Sequence, residues 1–241
     1  MTGAGARGHA ARGGRTRAVL LLAVLVVPLG ACSGDGGGGS EESPQEVLAA
    51  AKQALDDTSG VTLSLSAEEL PAEVDGVLEA TGAATHAPAF EGDLTVVVNG
   101  LDVDVPVVSV DGTVYAQLPF TTEFAEVNPA DYGAPDPARL MDPETGLSSW
   151  LVDATGIEEG ERVRDGELVL STYAGSLPGA VVDASIPSAD ESADFPVVFH
   201  IDEDGRLRSV EVSGPFYGSK GTVDYTVGVD DYGTLQDITR P

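Results

Sequence analysis

The chain contains one thiol, Cys32, and it directly follows Leu29-Gly30-Ala31. Arg7, Arg12, Arg15 and Arg17 come first, then an uncharged apolar run from Ala18 to Val27, then the small residues before the cysteine. That order is the pattern of a secretory signal ending in a lipidation box. The arginines hold their end on the cytoplasmic side, and the apolar run is shorter than the ~20 residues a spanning helix needs. Small side chains at 30 and 31 suit a peptidase groove. The Cys32 thiol then emerges at the membrane surface, where it can take a diacylglyceryl thioether. Cleavage before Cys32 frees its amine for a further acyl chain, and two or three chains anchor stably where one is marginal. An ordinary cleaved signal with an incidental cysteine, or an uncleaved anchor, are the competing readings. The lone cysteine sits where lipidation needs it, which favours the lipidation reading over both. The expected organisation is a signal peptide over 1–31, a lipidated cysteine with a Gly/Ser/Glu linker over 32–42, and an extracytoplasmic domain over 43–241. The anchor places that domain on the outer face of the cytoplasmic membrane.

No other constellation carries chemistry. His86 and His200 stand alone, without a second ligand at metal spacing, so no metal is expected. Asp202-Glu203-Asp204-Gly205 lacks the length and closing glutamate of a calcium loop and reads as a charged hairpin tip. There is no G-x-S-x-G elbow and no phosphate loop. Carboxylate pairs mean little in a chain with 40 acidic residues. No cofactor is expected, and the chain does not read as an enzyme.

The charge balance narrows the partners. The net charge is -28, and removing the four signal arginines takes the remainder to -32. Nucleic acid is excluded as a partner, because phosphate contacts need Lys and Arg. Docking to anionic lipid through a basic patch is disfavoured for the same reason. Hydrophobic residues at 42% exclude a disordered acidic tail. Just under 200 residues follow Ser43, enough for one domain with a substantial core that no disulfide can support.

The elements begin at Ser43, an N-cap followed by Pro44 and by Glu46 at the capping-box position. Val47, Leu48, Ala51, Ala54 and Leu55 form the helix stripe, which ends near Thr58. Val61, Leu63 and Leu65 alternate with polar residues, as in a strand with one buried face, and 74–87 fits either a strand or a helix, with strand favoured. Asn99-Gly100 and Asp111-Gly112 are two-residue hairpin signals. They place Val98 opposite Leu101, Val96 opposite Val103, Leu94 opposite Val105, Val107 opposite Ala116 and Ser109 opposite Val114. Leu118 joins Val105. One face of this three-stranded meander is then aliphatic, while Thr95, Asp102, Asp104, Thr113, Tyr115 and Gln117 lie on the other. Pro106 marks either a bulge or a missing N–H, and a bulge there would slip the register beyond it by one. Short helices are expected after the Asn128-Pro129 and Asp136-Pro137 caps, another through Leu147, Trp150 and Leu151, and one after Pro178. Strands near 160–172 (hinged at Asp165-Gly166), 195–202, 206–213 and 222–229 complete an α+β fold, a large antiparallel sheet with helices on one face.

Several segments carry a resemblance. PAFEGDL (88–94), VDGTVYAQLPFT (110–121), DYGAPDPARLMDPETGLSSWL (131–151), SGPFYG (213–218) and DDYGT (230–234) resemble the LppX/LprAFG family of actinobacterial lipoproteins, and within it the LprG type. The resemblance spans the whole domain and includes the lipidation box. It implies a curved antiparallel half-barrel, with helices packed on the concave face and a hydrophobic cavity between them. It also implies an acylated ligand, a triacylated glycolipid or a triacylglyceride, carried towards the outer envelope alongside an efflux-type membrane transporter.

The candidate lipid-pocket residues are Leu94, Val96, Val98, Val103, Val105 and Val114. Acyl chains need a dry, concave, aliphatic wall with polar groups only at its mouth. An apolar strand face more often fills a core, so a structural or transporter-partner lipoprotein with a filled core is the rival expectation. An envelope hydrolase ranks last. Trp150 is placed either at the cavity entrance or in the core, and Tyr217 is a candidate for stacking on a sugar head group.

Overall fold

The computed structural model describes residues 42–132 and 134–241. The signal, Cys32 and the linker up to Glu41 lie outside them. The described residues form three helices, α1 (Pro44–Asp56), α2 (Leu147–Asp153) and α3 (Gly179–Ser185). The strands of the N-terminal half are β1 (Gly60–Ala67), β2 (Gly76–Thr85), β3 (Ala89–Val98), β4 (Leu101–Val110), β5 (Thr113–Gln117) and β6 (Phe124–Val127). Those of the C-terminal half are β7 (Thr155–Glu159), β8 (Val163–Asp165), β9 (Leu168–Pro178), β10 (Asp194–Ile201), β11 (Leu207–Gly214) and β12 (Val223–Asp230). Single 3-10 turns occupy Pro129–Tyr132 and Pro137–Met141.

All the ladders are antiparallel, in the order β6-β5-β4-β3-β2-β1-β12-β11-β10-β9-β7, with β8 paired to β9 off this path. β6 and β7 are the two ends of that path and do not pair with each other, so the sheet is open rather than a closed barrel. The C-terminal strand β12 sits at its centre, against β1 on one side and β11 on the other.

Helix α1 starts as its sequence requires. The Ser43 hydroxyl oxygen accepts from the Glu46 N–H, and the Glu46 carboxylate accepts from the Ser43 N–H at 2.8 Å. The helix ends at Asp56, two residues before the expected Thr58. Leu48, Ala51 and Leu55 are buried, while Val47 and Ala54 are only partly so. Its single cation reaches the next helix: Lys52 Nζ donates to Asp56 Oδ2 (2.8 Å), to the Pro143 carbonyl (2.7 Å) and to Ser148 Oγ (3.2 Å). Three acceptors hold one ammonium between α1 and the start of α2.

The hairpin register is the one the turns dictate. Val98 pairs with Leu101, Val96 with Val103, Leu94 with Val105, Val107 with Ala116 and Ser109 with Val114. Asn99, Gly100, Asp111 and Gly112 all have positive φ, the conformation of a two-residue turn that matches strand twist. Of the two alternatives at Pro106, the bulge and its slip do not occur: the β3–β4 ladder runs unbroken from Ala89–Val110 to Val98–Leu101, with Pro106 opposite Asp93. Counting out from the Asn99-Gly100 turn, Pro106 falls at a position whose N–H would face β5 and not β3. The cost appears on that side, where the β4–β5 ladder stops at Val107–Ala116, one pair short of the proline.

A real bulge lies elsewhere, between Val77 and Glu79 of β2. There the Tyr225 hydroxyl donates to the Val77 carbonyl (2.6 Å), and the Val77 N–H donates to the Tyr217 hydroxyl (3.3 Å). The freed backbone groups are thus satisfied by tyrosines of the distant C-terminal half.

One face of the sheet and all three helices share a continuous hydrophobic core running from Leu48 to Val229. The opposite face holds a small second cluster. Ala89, Val108 and Val110 are covered there by Ile238 of the C-terminal tail.

Candidate functional site

The covered face of the sheet is not filled throughout. An outer groove of about 300 Å³ lies over β3, β4 and β5, and an inner chamber of about 70 Å³ lies deeper, between β1, β2, β11, β12 and the helices. Leu94, Pro135 and Pro137 belong to the walls of both, so the two spaces adjoin. No charged residue lines either one. The groove falls at the lower end of the volume range of small-ligand clefts, about 300–1,000 Å³.

Strand alternation builds the groove. Leu94, Val96 and Val98 of β3 face Val105 and Val103 of β4 across the ladder and point to the same side, and Val114 continues the wall on β5. These are the six candidate pocket positions, and all six line the groove, together with Val107, Ala116 and Leu118 of the same face. The far wall is the 3-10 segment, which contributes Tyr132, Ala134, Pro135 and Pro137. That wall is fastened through Asp136: its carboxylate accepts from Ser109 Oγ (2.6 Å) and caps the Ala138 N–H (3.0 Å). Ser109 is fully buried on β4 and Asp136 is half-buried, so the pin runs from sheet to lid with its donor end shielded from solvent.

The rim is apolar at the end of the sheet that carries the Asn99-Gly100 hairpin. Leu101, expected on the inner face, is 68% exposed there. Phe120 is fully exposed with φ of 67°, directly after Leu118 and Pro119 of the groove wall.

Trp150 lies deep in the molecule and not at an entrance. It is 1% exposed on α2 and lines the inner chamber. Its indole Nε1 is buried and has no hydrogen-bond partner. Tyr217 also lines this chamber, and its hydroxyl is engaged with Tyr225 (2.8 Å) and with Val77. Burial raises the pKa of both tyrosines above the ordinary phenol value, so they remain neutral hydrogen-bonding groups. Phe195, Phe216 and Tyr225 stack edge to face at 5.0 and 5.1 Å behind the chamber.

Neither histidine belongs to the site. His86 Nε2 contacts the Leu55 carbonyl (2.7 Å), tying the β2–β3 turn to α1, and His200 Nδ1 contacts Ser209 Oγ (3.1 Å). Among the described residues, no group of three His, Cys, Asp or Glu side chains is placed to hold a metal.

Sequence reasoning missed most of the inner chamber, including Val77, Phe90, Val212 and Phe216. Their burial follows from β12 pairing with β1, a contact between the two ends of the domain that no local pattern announces.

The site is thus an uncharged apolar space beneath the helices that cover one face of an open antiparallel sheet. Comparison with known proteins gives that architecture a family. The family model described as LppX_LprAFG lipoprotein matches residues 43–235. The chain belongs to the LppX/LprAFG lipoprotein family. The Lipoarabinomannan carrier protein LprG of Mycobacterium tuberculosis is 24% identical over 201 residues, covering 79% of this chain and 82% of that protein. Among solved structures, LprF from Mycobacterium bovis superposes with a TM-score of 0.66 at 16% identity, covering 82% of this chain and 96% of that one. LppX from Mycobacterium tuberculosis gives 0.61 at 14% identity, covering 81% and 98%. At these identities the two structures establish the shared fold.

Proposed function

We propose that this chain is a lipid-binding lipoprotein of the cell envelope that carries acylated lipids and catalyses no reaction. The observation that carries this reading is the uncharged outer groove, with Leu94, Val96, Val98, Val103, Val105 and Val114 on one wall and the proline-rich lid on the other. The name of the related lipoarabinomannan carrier supports an acylated glycolipid as the ligand class; a triacylglyceride has the same acyl chemistry. Binding is by partition: each CH₂ that leaves water contributes ~0.8 kcal/mol, so even one long chain is held strongly. The head group stays in water beyond the apolar rim formed by Leu101 and Phe120. Release of so apolar a ligand calls for widening of the lid or for a receiving partner, for which an efflux-type membrane transporter is our proposal. Cys32 is the anchor in this reading, holding the domain at the outer face of the cytoplasmic membrane on the 32–42 linker.

The small size of the inner chamber, about 70 Å³, favours the rival reading of a filled-core interaction lipoprotein. Titration of the purified chain with a fluorescent diacyl lipid separates the two. Saturable binding that unlabelled acylated lipid displaces supports the carrier, whereas no binding at micromolar lipid leaves the rival.

A further inference from the structure

The rim of the outer groove carries a strained aromatic. The Leu118 carbonyl accepts from the Thr121 N–H (3.1 Å) and from Thr121 Oγ1 (2.7 Å), which closes a four-residue turn with Pro119 second and Phe120 third. A positive φ at the third position of such a turn is normally supplied by Gly or Asn. Here a phenylalanine holds φ at 67° with its side chain fully exposed, so no packing offsets the strain. Strain of this kind clusters at functional sites. Pro119 beside it is exposed and lines the groove. Leu101, on the same face of the sheet and paired with Val98 of the groove wall, is exposed as well. A single exposed hydrophobic needs no explanation, but three at the edge of an apolar groove do.

Charge narrows what can cover this rim. Asp102, Asp104 and Glu123 flank it and are exposed, and no lysine or arginine occurs between Lys52 and Arg139. An anionic surface is therefore repelled, and the contact is apolar or nothing. The chain from the proposed anchor at Cys32 to Ser43 spans at most about 40 Å. A domain so tethered meets its bilayer at high effective concentration, so a few apolar side chains suffice for contact. We propose that Phe120, Leu101 and Pro119 form a membrane-contact edge, which dips into an uncharged bilayer surface so that acyl chains slide from bilayer to groove without crossing water. This rests on the carrier reading and adds to it the route by which the groove is loaded. The head group then stays in the hydrated interface throughout, and only the chains pass the rim.

The test uses the full chain, purified in detergent and reconstituted into phosphatidylcholine vesicles whose acyl chains carry bromine close to the glycerol end. Bromine quenches an indole only at contact. The chain has one tryptophan, the buried Trp150, so wild type supplies the background. Phe120→Trp puts a second indole on the rim, and Leu235→Trp puts one on the C-terminal tail at a position 86% exposed. Both changes are at exposed sites, and the fold has no packing to lose there. Quenching at 120 should exceed that at 235 by about threefold or more, because an interfacial side chain lies ~5–10 Å into the boundary of head groups and chains. Replacing part of the phosphatidylcholine by phosphatidylglycerol at low salt should weaken quenching at 120, and added salt should restore it. Equal quenching at the two positions overturns this inference and leaves the rim to a protein partner. Stronger quenching with the anionic lipid overturns it too, since charge would then carry the contact. The carrier reading fails separately, in the diacyl-lipid titration, which does not depend on where the domain meets a bilayer.

Discussion

Leu94→Trp is the substitution that most directly blocks the proposed path. Leu94 is 9% exposed, lies between Ala80 and Val105 in the sheet, and belongs to the walls of both the groove and the inner chamber. An indole at this junction fills space that a chain would otherwise occupy. Excluding about four CH₂ groups at ~0.8 kcal/mol each removes about 3 kcal/mol, a roughly hundredfold rise in Kd. The fold should tolerate the change, because the added atoms enter a groove of about 300 Å³ and not a packed core. An overpacking cost near the low end of its range, about 1 kcal/mol, lowers Tm by about 2–4 °C for a domain of this size. Val97→Trp is the matched control, since Val97 sits on the same strand with its side chain on the other face. The assay is displacement of a fluorescent diacyl lipid, with circular dichroism to confirm folding. The reasoning is refuted if folded Leu94→Trp binds within threefold of wild type, or if Val97→Trp weakens binding as much.

Further expectations follow from the supporting contacts. Ser109→Ala removes the buried pin on Asp136 and should cost about 2 kcal/mol, read as a Tm drop of about 4–8 °C, with faster lipid dissociation as the lid loosens. Gly92 and Gly82 face each other under the Phe90 ring, and a Cβ on Gly92 would lie 2.1 Å from the Thr81 carbonyl oxygen. Gly92→Ala should therefore destabilise by about 1–3 kcal/mol in denaturant titration and push Phe90 towards the inner chamber. Phe120→Asn relieves a left-handed backbone that an exposed phenylalanine does not favour, and should raise Tm slightly because no buried contact is lost. Hydrogen bonds from the Ser43 backbone and side chain hold the Glu46 carboxyl below its ordinary pKa. Its contribution is therefore complete above the unfolded pKa and lost as pH falls through the lower folded one. The Tm gap between wild type and Glu46→Gln should be present at pH 7 and narrow as pH falls below the ordinary carboxylate range. A gap independent of pH would sink the capping-box account.

The groove was legible in the sequence because two turns fix a register. Asn99-Gly100 and Asp111-Gly112 adopt the positive φ their residue types favour, and once they do, every aliphatic residue from Leu94 to Val114 is assigned to a face. The capping box at Ser43 and the Asp136-Pro137 cap were visible for the same reason: the chemistry is local. Of the two readings of Pro106 the missing N–H holds and the bulge does not, because a proline in a strand affects only the side its nitrogen faces, and that side is known only when the third strand's length is known. Strand β6 was missed because Phe124–Val127 has no buried residue to give it a period. The inner chamber was out of reach because β12 inserts between β1 and β11, a pairing set by the global fit of two half-sheets. The bulge at Val77 was hidden likewise, since the tyrosines that satisfy it are 140 and 148 residues away.

The most direct test of the account is native mass spectrometry of the full chain, released from detergent after expression in an actinobacterial host that makes its own lipids. The account predicts a non-covalent mass excess that disappears on denaturation, yields fatty acyl fragments, and is absent from Leu94→Trp. A wild-type protein that flies without bound lipid from every source, or an excess that Leu94→Trp retains, would contradict it.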